Sequence, residues 1–151
     1  MKLNQRMRAT LGNASLDDFC LGAHLSDQLR ALLGEGFTTF DGAIVFKVMS
    51  GTAERVKPEN FSDLTGFECF INQVHVEDHL HGTLLDEMAL LKEGVAFALA
   101  VHRQLHSSFA DKPFTVILAA TGTTCGVRFH VTRPAEEWLS SNLDGYGKRL
   151  F

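Results

Sequence analysis

Apolar residues recur along the chain in two rhythms, and the switches between them predict its elements. Leu16, Phe19, Cys20, Ala23, Leu29, Leu32 and Leu33 return at three- and four-residue steps, which places them on one face of a helix. Ser15 followed by Asp18 supplies a capping pair at its start, and Gly34 and Gly36 supply its stop. Phe37 to Ser50 is rich in Phe, Val, Ile and Thr and predicts mainly strand, with a turn or bulge at Asp41-Gly42. Gly51 to Thr65 is polar, contains Pro58 and predicts a loop. Phe67 to Val76 then alternates, Phe67, Cys69 and Ile71 against Glu68 and Asn72, and predicts a second strand.

The helical rhythm returns at Leu84, Met88, Leu91, Val95, Leu99, His102, Leu105 and Phe109, behind a capping pair at Thr83 and Asp86. This predicts a long central helix of roughly 26 residues, about 39 Å at 1.5 Å per residue. Gly94 inside it implies close packing against a neighbour or a slight kink, and Pro113 ends it. Phe114 to Ala120 is an apolar run of strand length, Thr121 to Thr124 gives a turn, and Thr124 to Arg133 alternates, which together predict a hairpin. Val127, Phe129 and Val131 share its core face, and Arg128 and His130 the other. Pro134 opens a short terminal helix carrying Trp138, with Arg128 expected to anchor it through Glu136 or Glu137. The order α-β-β-α-β-β-α predicts an α+β fold in one domain over residues 1–151, an antiparallel sheet of four or more strands packed against the long helix.

Composition narrows the class. With 151 residues, 45% of them apolar and 21% charged, the chain is long and apolar enough for one packed core, and disorder, fibres and coiled coils are disfavoured. The longest apolar run, Val95 to Val101, is too short for a bilayer span, and the N-terminal sequence lacks the apolar stretch of a secretory signal. No membrane partner is expected, and the expected compartment is the cytoplasm. Cys20, Cys69 and Cys125 are too far apart for a zinc motif, odd in number for a disulfide framework, and read as small buried apolar residues.

Charge changes the picture more than composition does. Nine acids against three bases between Glu54 and Glu93 give that segment a charge of −6, while Lys2, Arg6, Arg8, Lys148 and Arg149 make the termini basic. With a net charge of −4 and no basic stripe, nucleic acid is not an expected partner. A basic protein is, and Glu68, Glu77, Asp78, Asp86 and Glu87 are the candidate contacts; the same acids also read as ordinary solvated faces.

Two histidine groups raise metal chemistry. If the second strand continued through His75, Glu77, His79 and His81, these side chains would project to one side at two-residue spacing, a donor set suited to zinc or nickel. A solvated connector is the competing reading. His102 and His106 lie one helical turn apart, and the place of His102 on the apolar stripe favours a core histidine. No GxSxG elbow, GxGxxG, phosphate loop or paired-carboxylate motif occurs, Cys125 beside Gly126 being the sole thiol in a turn context. No enzyme class and no cofactor are therefore expected.

The C-terminal fifth, TCGVRFHVTRPAEEWLSSNLDGYGKRLF, resembles small bacterial immunity proteins of the polymorphic-toxin and contact-dependent-inhibition group. The resemblance lies in the VRFHVTR strand, in Glu137, Trp138 and Leu139, and in the segment Asn142 to Tyr146. It implies a non-enzymatic cytosolic α+β domain that binds and blocks a cognate toxin domain, and it transfers no binding residue. The other expectations left open are a small metal-binding enzyme or sensor using His75 to His81, and a ligand-binding module with a pocket between sheet and helix.

Overall fold

The computed structural model describes residues 1–80 and 86–150. It is an α+β fold: a four-stranded antiparallel sheet, a separate two-stranded hairpin and a long helix. The helices are α1 (Gln5–Leu11), α2 (Leu16–Phe19), α3 (Asp27–Glu35), α4 (Ser50–Val56), α5 (Leu64–Ile71) and α6 (Glu87–Ser108). The hairpin joins β1 (Phe37–Phe40) to β2 (Ala43–Phe46); the sheet holds β3 (Val74–His75), β4 (Phe114–Ala120), β5 (Cys125–Val131) and β6 (Arg149–Leu150) in the spatial order β3-β5-β4-β6. No helix among the described residues is long and apolar enough to cross a membrane.

α6, about 33 Å long, packs on the sheet through Leu91, Val95, Ala98, Val101 and Leu105. Its cap is Asp86, whose Oδ1 accepts from the Ala89 amide at 2.7 Å; Thr83, the expected partner in that cap, lies outside the described residues. Gly94 is the close approach its position implies: a Cβ there would stand 2.1 Å from Cys125 Sγ on β5. The Asp41-Gly42 turn also forms as read, both residues holding the positive φ of a two-residue hairpin turn, +45° and +82°.

Four expectations need correction. The helix from Leu16 to Leu33 is two helices, because Ser26 recaps the chain: its hydroxyl accepts from the Leu29 amide while its own N–H donates to Glu93. The loop 51–65 contains α4. The strand over 67–76 is instead α5, leaving only Val74–His75 as strand. Phe67, Glu68 and Ile71 are all buried on α5 at helical spacing, and Asp63 Oδ1 caps it through the Gly66 amide. Finally, no α-helix follows Pro134 among the described residues. Ala135 sits at φ +64°, outside helical geometry, and the segment runs on irregularly to a 3-10 turn at Leu143–Gly145.

The hairpin β1–β2 and the sheet are joined by side chains. Glu68 Oε1 accepts from the Ile44 amide of β2 at 2.7 Å, and Oε2 from the Val131 amide of β5 at 2.8 Å. One turn later Asn72 accepts from the Phe46 amide and donates to the carbonyls of Ile44 and Phe129. A side chain of α5 and that of its C-terminal cap thus stand where a further strand would pair β2 with β5. Beneath them Phe46 stacks on Phe37 and meets Phe129 edge-on at 5.1 Å between ring centres.

Candidate functional site: a cleft along the free edge of β4

The acids read as partner contacts do not form one surface. Glu68 is 0% exposed and closes a bidentate ion pair with Arg133, at 2.7 and 2.9 Å, in addition to its two backbone bonds. It therefore cannot meet a partner, and the correction follows from desolvation: a buried carboxylate persists only when fully paired. Glu77 spends Oε2 on the Cys125 amide at 2.8 Å, Asp86 caps α6, and Glu87 pairs with Arg149. Asp78 stays exposed in the 3-10 turn Val76–His79.

That turn also removes the two-residue alternation on which the metal reading of His75, Glu77 and His79 rested; His81 lies outside the described residues. His75 contacts Gln73 and Glu77, and among the described residues no three His, Cys, Asp or Glu side chains converge. Cys69 and Cys125 are buried, and burial pushes both thiols up to about 12, so neither is an activated nucleophile.

The anchoring arginine of the C-terminal segment is Arg133, not Arg128. Glu136 Oε2 accepts from the Thr65 amide and hydroxyl at 3.1 and 2.7 Å, capping the start of α5, with Arg133 3.9 Å away. Hydrogen bonding to Glu68 raises the Arg133 pKa further above its ordinary value. Arg128 instead lies over the ring of Trp138, 5.4 Å from its centre, and Trp138 is 40% exposed. Pinned at Arg133 and Glu136, this segment stands off from β4 and α6 and encloses a cleft of about 770 Å³.

The cleft runs along β4, with Phe114, Thr115, Val116 and Ile117 in its lining, α6 contributing Ala98, Leu99 and His102, and residues 133–141 forming the far wall. Two ladder bonds fix which way β4 presents its backbone. Thr132 N–H donates to Pro113 O and Thr121 N–H to Thr124 O, both at 2.8 Å. In the antiparallel register, odd-numbered β4 residues therefore bond to β5, and Phe114 and Val116 turn their N–H and C=O groups to the opposite edge. Among the described residues β6 covers that edge only at Ala119 and Ala120. Among the described residues nothing pairs with the backbone groups of Phe114 and Val116.

One buried polar side chain joins them. His130, on β5, is 5% exposed and lines the cleft. Its Nδ1 lies 2.8 Å from the carbonyl of Val131, which can only accept, so Nδ1 donates there. No described group bonds to Nε2. The cleft therefore offers two main-chain donors and acceptors and one imidazole nitrogen above an apolar floor. None was legible from local pattern, since edge exposure depends on how far β6 reaches. A smaller depression of about 510 Å³ lies between α1 and β6, but its Arg149 is already engaged by Glu87 and Thr10.

No curated protein and no solved structure matches the chain. A family model does, over residues 2–151, and by that match the chain belongs to the Uncharacterized protein PM0498 family.

Proposed function

We propose that this chain is a non-enzymatic binding protein that takes an extended segment of a partner protein into the cleft and pairs it with the free edge of β4. The observation that carries the reading is the unpaired backbone of Phe114 and Val116 inside a walled cleft. Unsatisfied main-chain groups in a row are complementary to another main chain, and strand addition satisfies donors and acceptors together. The apolar lining supplies burial, and the Nε2 atom of His130 offers a further polar contact to the bound segment. The sequence that resembles immunity proteins coincides with this place: its VRFHVTR strand is β5 and its Trp138 segment is the cleft wall. That coincidence supports a toxin domain as the partner, blocked by occlusion. The acidic segment does not carry the reading, because four of its five candidate acids bond within the chain.

The experiment is co-expression with candidate toxin domains encoded by neighbouring genes, followed by amide NMR of the labelled chain with and without such a domain. The expected result is protection of the host cell, a stable complex, and shifts concentrated at Phe114, Val116 and His130. A complex whose shifts fall on the surface of Asp78 and Asp86 instead would overturn the cleft as the site, and no complex would overturn the partner.

A further inference from the structure

On α6, beside the cleft, His102 and His106 face each other across one turn, with ring centres 4.4 Å apart and Nε2 atoms hydrogen-bonded at 3.1 Å, so that one ring shares a proton which a metal ion would displace to Nδ1 or to water. Contrary to the core role expected for it, His102 is exposed, as is His106. The geometry points to a chelating site for a divalent transition-metal ion of the copper, nickel or zinc class, held by the two Nε2 atoms. Imidazole binds such ions at about 2.0–2.1 Å. Two bonds of that length spanning 3.1 Å subtend about 98°, between the angles of square-planar or octahedral and tetrahedral coordination.

The helix preorganises the pair. A spacing of four sets the two rings on one face, and the ring of His106 meets Phe114 edge-on at 6.3 Å, which limits its rotation. Arg103, the nearest cation in sequence, is turned to Asp17 at 3.3 Å and partly neutralised there. Two protein donors leave the other coordination positions to water, or to a donor carried by whatever occupies the cleft that His102 lines. Two nitrogen donors favour copper over nickel and zinc by the usual order of divalent ions.

The test uses the full chain with His75, His79 and His81 replaced by Gln, so that the other histidine group contributes nothing. Calorimetric titration with copper, nickel and zinc chlorides is expected to show one site with copper tightest, and the copper spectrum by electron paramagnetic resonance is expected to show two equivalent nitrogens. His102→Ala and His106→Ala should each weaken copper binding by more than about tenfold, because each turns a chelate into a single ligand. Both positions are exposed, so melting curves without metal should match those of the parent. Copper affinity indifferent to both substitutions, or no copper binding in this background, would overturn the site.

Discussion

At the scale of residues, the decisive feature is a carboxylate placed where the chain has no water. Glu68 accepts four hydrogen bonds, two from backbone amides of different sheets and two from Arg133. Removing the guanidinium would leave a buried charge beside two amides, and loss of one partner of such a pair costs about 3–5 kcal/mol. Arg133→Ala is accordingly expected to lower unfolding free energy by that amount in urea titrations. Glu68→Gln added to Arg133→Ala should recover part of it, because the neutral amide still accepts from Ile44 or Val131. A loss below about 1 kcal/mol for Arg133→Ala would mean that the pair is hydrated and does not join hairpin to sheet. Reading Glu68 as a surface acid was the natural inference from sequence: a glutamate is almost never fully buried unless paired, and its partner lies 65 positions away.

Among elements, α6 meets the sheet at Gly94 without room for a methyl group. Alanine would gain about 1 kcal/mol of helix propensity but drive a Cβ into Cys125 Sγ and against Leu118, and overpacking costs about 1–3 kcal/mol. Gly94→Ala is expected to lower the melting midpoint, and Cys125→Ala in the same chain to cost less than it does alone, a coupling of about 1 kcal/mol measurable in a double-mutant cycle. Strict additivity would contradict the contact. The elements the sequence predicted correctly, α6, the Asp41-Gly42 hairpin and β4–β5, are those whose period or turn chemistry is local and unambiguous. The residues of α5 fit both patterns, because Phe67, Cys69 and Ile71 alternate while Phe67, Glu68 and Ile71 also share a helical face; the burial of Glu68 and Asn72 separates the two. The terminal helix failed for a comparable reason: Glu136 bonds to α5 rather than lying in a first turn of its own. α1, capped by Asn4 against Met7 and held by β6, left no stripe long enough to read.

For the whole molecule, the proposed binding place is an open strand edge, walled by the C-terminal segment and by α6. Neither wall is local in sequence, so the candidate site was out of reach of pattern, while its parts, β4, β5 and Trp138, were in view. Val116→Pro probes that edge. Its N–H points to the cleft and bonds to no strand, so proline there deletes the donor without breaking the β4–β5 ladder, and edge strands tolerate such a residue. The measurement is the dissociation constant of the partner domain for the wild-type chain and for Val116→Pro, with melting midpoints recorded on both. Similar midpoints and binding weakened by about tenfold or more are expected, from the loss of one main-chain hydrogen bond with its register. Equal affinity in a folded Val116→Pro chain would contradict the proposed binding place.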